Sequence, residues 1–291
     1  MTHFTVLVVG DNVEEQLLPY HEFECTGLDN QYVQDIDVTD DFTAQFKRDK
    51  EDGYATPSEY LTEYHGINII NDISELDLND EHKYGYAIVD GDKIIKVVRR
   101  TNPNKKWDGW VEGGRWTEFF TLKDGSKSNS ARKGNIDFDK MLQKTLASRL
   151  DDYHLFNAYK GFSLSLNTLR KNFKTWEQLW LDKNLNREQR SEIYNEQELV
   201  KIFKQLLPDY WGADDDIISL DYENYLKKET RSALKTHALV INSQWYQKGQ
   251  MGWFACSDAT DDSTAKYYDF FEYTLNSLSD DTLLTLVDCH I

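Results

Sequence analysis

The stretch TLLTLVDCHI, Thr282–Ile291, is almost all apolar, with one carboxylate and one imidazole near its end. It is too short for a membrane helix and too continuously apolar for a half-solvated strand. It therefore predicts a central strand buried on both faces. HFTVLVV, His3–Val9, has the same character, and Gly10-Asp11-Asn12 behind it is a turn signal. Two such strands need a common sheet and a cover. The segment Thr264–Leu278 offers the cover, because Tyr267, Phe270, Phe271, Thr274, Leu275 and Leu278 make one apolar helical stripe. Ser263 is its expected N-cap, and Ser279-Asp280-Asp281 the turn into the last strand. The fold class expected is α+β: a mixed β-sheet domain containing both chain termini, with an inserted helical subdomain.

Working outward, HALVINSQWYQ (His237–Gln247) reads as a further strand, and His21–Cys25 as a second extended run. YAIVD (Tyr86–Asp90) and KIIKVV (Lys93–Val98) flank Gly91-Asp92 and predict a hairpin. Trp116–Leu122 alternates as a strand does, and the polar, basic Gly125–Gly134 reads as an exposed loop. Asp29–Glu81 is acidic and lacks aliphatic periodicity. It reads as an irregular excursion with helical turns, one of them capped by Ser58. From Asp137 to Leu234 the pattern is helical. Phe173, Trp176, Leu179 and Trp180 fall at helical spacing. Asn186 caps one long helix carrying Ile193, Val200, Phe203 and Leu207, which stops at Pro208, and Asp221 caps another. The expected organisation is an N-terminal part of the sheet domain at 1–134 with the acidic excursion at 29–85, a helical insert at 135–235, and the C-terminal part of the sheet domain at 236–291.

The chain has 291 residues, 40% of them hydrophobic, which is ample for a core, and only 15 Gly and 4 Pro, which argues against long linkers. The formal net charge of -18 is unevenly spread: Asp29–Asp92 holds 17 acidic and 4 basic residues, net -13, and Lys93–Lys133 holds 11 basic and 4 acidic, net +7. A phosphate backbone is repelled by such a surface, so no direct nucleic-acid binding is expected. Neighbouring blocks of opposite sign can instead pair between subunits or with a partner, although acidic runs are commonly plain solvated loops. No apolar run reaches the length of a membrane span, and the N-terminal residues read as a strand and not as a signal peptide. Three cysteines without close spacing point to a reducing, cytoplasmic compartment.

Catalytic patterns are weak. Gly10-Asp11-Asn12 lacks a phosphate-binding fingerprint and is followed by Glu14 and Glu15, whose charges oppose an anion. His21, Cys25, Cys256, Cys289 and His290 are zinc-type ligands without zinc-type spacing, and Cys289 and His290 face opposite sides of a strand. No base or oxyanion signature accompanies a cysteine nucleophile. The expectation is no catalytic residue, no metal and no cofactor. WDGWVEGGRW, Trp107–Trp116, is the densest unusual segment. Arg115 stacked on Trp110 or Trp116 would make a ligand surface, and the plainer reading is a rigid bulge packing tryptophans into the core.

HFTVLVVGDNVEEQLLPYHEFECTG, WDGWVEGGRW, QWYQKGQMGWF and DDTLLTLVDCHI together resemble a phage-encoded anti-Gabija inhibitor family. The resemblance spans most of the chain and is weaker in the acidic excursion and the helical insert. It implies a non-enzymatic protein of the host cytoplasm that oligomerises around a bacterial defence complex of nuclease and helicase-like subunits and blocks DNA engagement and cleavage. It carries over no catalytic residues. The partner-contact candidates are read from charge and aromaticity: Asp35, Asp37, Asp40 and Asp41, and Trp107, Trp110, Arg115 and Trp116. The alternatives are an enzyme acting on a small molecule or nucleotide at the Gly113-Gly114-Arg115 turn, and a virion structural or assembly protein.

Overall fold

The computed structural model describes residues 2–49, 56–210, 212–252 and 256–291. Its strands are β1 (His3–Val9), β2 (Gln34–Asp37), β3 (Gly85–Asp90), β4 (Lys93–Thr101), β5 (Gly109–Glu112), β6 (Phe120–Thr121), β7 (Lys127–Ser128), β8 (Ser130–Arg132), β9 (Ala238–Ile241), β10 (Gln244–Gln247) and β11 (Leu283–His290).

The main sheet has the order β10-β9-β1-β11-β5, with β8 also paired to β11. β1 runs antiparallel to β11, in register from His3↔His290 to Val9↔Leu284, and parallel to β9. The two terminal strands therefore lie side by side in one mixed sheet, as their sequences predict. Alternation then divides their side chains. Leu7, Val9, Leu284 and Leu286 pack under Tyr267 and Phe271 of the Asp261–Ser277 helix. Phe4, Val6, Val8, Val287 and Cys289 form the other face with Leu17 and Trp107. Cover on both faces explains why these strands are apolar at nearly every position. Thr260, and not Ser263, caps the covering helix; Ser263 sits three residues on and completes the capping box.

His237–Gln247 is a hairpin and not one strand. Asn242 and Ser243 both have positive φ, 52° and 56°, the geometry of a tight two-residue hairpin turn. The turn is hard to read because glycine is absent from it. The expected extended run at His21–Cys25 is also corrected: Phe23–Thr26 is one helical turn that buries Phe23. Trp116–Leu122 is strand only at β6, after a 3-10 turn over Gly114–Trp116. The expected loop at 125–134 supplies β7 and β8.

The described residues of the acidic excursion form regular elements. β2 adds to the β3–β4 hairpin in the order β2-β4-β3, and the Thr39–Asp49 helix packs on it through Phe42 and Phe46. Only these two aromatics, four residues apart, face inward, so the helix shows no aliphatic period in the sequence. Thr56, and not Ser58, caps the turn that follows.

Seven helices follow among the described residues: Phe138–Asn157, Leu166–Asn172, Trp176–Leu181, Arg187–Glu196, Glu198–Leu206, Asp215–Ser219 and Tyr222–Ser232. They enclose a core of their own around Phe156, Leu179, Val200, Phe203, Ile217 and Tyr225. Asn186 and Asp221 are N-caps as expected. The long helix expected after Asn186 is broken at Gln197, whose backbone is extended (φ -63°, ψ 133°). The Gln197 amide is bonded to both backbone groups of Lys174, at 2.8 and 2.9 Å, which fixes the break.

Candidate functional site

The expected partner-contact residues fall on two different sheets. Asp35 lies on β2 opposite Arg100 of β4 and accepts a hydrogen bond from its guanidinium at 3.2 Å; the same guanidinium also pairs with Asp29. Lys105 is likewise held by Glu22 and Glu24. Part of the charge polarity is thus consumed inside the fold, where the basic strand zips against the acidic one. Asp37 accepts from the Thr39 backbone N–H at 3.0 Å and from its hydroxyl, and these bonds hold its carboxyl below the usual range. Asp40 and Asp41 occupy the first turn of the Thr39–Asp49 helix. Asp37, Asp40 and Asp41 are exposed and have no ion-pair partner within 4.0 Å among the described residues.

The tryptophans differ from expectation. Trp107 is a core residue, only 7% exposed; its indole N–H donates to the Leu17 carbonyl at 3.2 Å and its ring packs on His21. Its removal from the contact surface follows from that burial. Trp110 is half-buried against the same cluster, and Trp116 half-buried against the opposite one. Arg115 is exposed and stacks on neither of them among the described residues. The helical insert does expose aromatic surface. Trp180 is 55% exposed with the Arg190 guanidinium over its ring at 5.0 Å, beside Leu181 at 70%. Helical spacing alone made Trp180 look like core, and it is not.

The Gly113-Gly114-Arg115 turn is closed by a residue that sequence reading missed. Asp288 of β11 is buried; one carboxylate oxygen accepts the Arg115 backbone N–H at 2.9 Å and the other meets His3 Nδ1 at 2.8 Å. A Cβ on Gly114, which has φ +49°, would lie 2.4 Å from that carboxylate, so the glycine is required for the approach. The turn N–H that an anionic ligand would use is already bonded within the chain. On the next pair of residues His290 Nδ1 rests against Asp108 Oδ1, and the His3 and His290 rings are 5.3 Å apart. The Nε2 and Cε1 atoms of His290 lie over Gly109 of β5. Each imidazole therefore rests against a carboxylate, His3 against Asp288 and His290 against Asp108. The signal was present in the sequence as the two-residue spacing of Asp288 and His290, which puts them on one face, but only the β1–β11 register brings His3 to them.

Cys289 points into the opposite face, and burial pushes its thiol pKa up. Cys25 and Cys256 are exposed. No three His, Cys, Asp or Glu residues among those described are placed to hold a metal ion. At the Gly10 turn, Gln16 donates to the Val9 and Asp11 carbonyls, and the following helix has five residues. No helix among the described residues is long and apolar enough to cross a membrane. Comparison with protein-family models, with curated proteins and with solved structures finds no match for this chain.

Proposed function

We propose that this protein acts by binding, without catalysis, and that it occludes a bacterial nuclease–helicase defence complex of the Gabija type in the host cytoplasm, as an oligomer. The observation that carries the reading is the acidic corner formed by Asp37, Asp40 and Asp41. These carboxylates are exposed at the junction of a strand and a helix and stay outside the ion pairs among the described residues, whereas Asp29 and Asp35 are taken up by Arg100. A protein that handles DNA must present a basic surface, and a fixed set of carboxylates is its electrostatic complement. The exposed Trp180 and Leu181 offer an apolar anchor of the kind that dominates interface energies. The resemblance of the chain-end and Trp107–Trp116 segments to the inhibitor family supplies the identity of the target. The test mixes purified protein with the Gabija complex and follows co-elution and DNA cleavage. Co-elution with loss of cleavage is expected. Separate elution with undiminished cleavage at excess protein would reject the assignment.

A further inference from the structure

The helical insert leaves the sheet domain and returns to it at one place, and a cleft of about 380 Å³ lies there. Phe119 belongs to the sheet domain, Phe138 and Met141 to the outgoing helix, and Phe271 and Leu275 to the covering helix; all five line the cleft. The returning chain passes it at Leu234, which has φ +61°. A left-handed conformation is unfavourable for a bulky residue, and strain of this kind concentrates where a chain is shaped around a ligand. The charged groups around the opening cancel. Lys235 is paired with Glu272 at 2.8 Å, and Lys133, which donates to the Leu278 carbonyl at 2.6 Å, is offset by Asp139. A wall of aromatic rings and methionine with no net charge at its mouth favours an apolar guest over an ion.

We propose that this cleft binds a small uncharged aromatic molecule at the root of the helical insert. The site is separate from the acidic corner and does not depend on it. The probe is N-phenyl-1-naphthylamine, an uncharged naphthalene dye whose emission rises in apolar surroundings. Saturable one-site enhancement is expected, with a dye-dependent rise in the thermal midpoint of the unaltered protein. Leu142→Trp and Leu275→Trp add bulk from opposite walls at half-buried positions, and each should weaken binding at least tenfold. Circular dichroism and melting of both variants show whether they are folded, and the midpoint shift of the unaltered protein tests binding independently of them. Absence of both enhancement and midpoint shift overturns the proposal. So does enhancement that folded Leu142→Trp and Leu275→Trp proteins retain in full, or tighter binding of an anionic naphthalene sulfonate than of the neutral dye.

Discussion

Replacing Asp288 with Asn should destabilise the fold by about 1–3 kcal/mol, because an amide cannot accept from both the Arg115 N–H and the His3 ring as the carboxylate does. Urea unfolding checks this, and an unchanged midpoint would contradict it. His237 makes a prediction in pH. Burial, reinforced by Lys248, pushes its pKa down from 6.5 to about 4, and its Nε2 has no hydrogen-bond partner among the described residues. Between those values the unfolded chain binds the proton and the folded one does not. Its contribution is therefore complete above pH 6.5 and is lost as pH falls toward 4, on the order of 3 kcal/mol in all. His237→Gln should flatten that part of the stability–pH curve relative to the parent; parallel curves would refute the assignment. Neither residue announces itself in the sequence. Asp288 reads as a flaw in an apolar strand, and the burial of Trp107, offered as both a contact and a core candidate, depends on its bridge to His21 and its bond to the Leu17 carbonyl.

At the scale of elements, what was legible followed from glycine, caps and continuous apolar runs. The β3–β4 hairpin, the caps at Asn186 and Asp221, and the placing of both terminal strands in one sheet were read correctly. The breaks were not legible, because they depend on contacts made later in the chain, as Gln197 does with Lys174. The hairpin also separates two roles of glycine. Gly85 has φ +126°, and a Cβ there would stand 2.1 Å from the Val98 carbonyl oxygen; Gly91 has φ +53° and open space around it. Gly85→Ala should cost at least about 2 kcal/mol through steric conflict with the β4 backbone, and Gly91→Ala roughly 1 kcal/mol through conformation alone. Thermal melts of the two variants decide it, and equal losses would show that the close approach of β3 to β4 is not what Gly85 provides.

At the scale of the whole molecule, the charge blocks have two destinations. Arg100 is taken up by Asp29 and Asp35 within the β2-β4-β3 unit and Lys105 by Glu22 and Glu24, which the net charges of the blocks alone do not reveal. Asp37, Asp40 and Asp41 are among the carboxylates of the block that no ion pair takes up among the described residues. The most direct test of their role measures the association rate of the protein with the Gabija complex across a range of salt, for the parent and for a variant carrying Asp37→Asn, Asp40→Asn and Asp41→Asn. Losing carboxylates at a helix N-terminus should cost the fold only about 0.3–1 kcal/mol each, so the variant remains folded. The binding account predicts slower association of the variant at low salt and a gap that closes as salt rises, because exposed charges are screened. Equal association rates for the two proteins at low salt would contradict it.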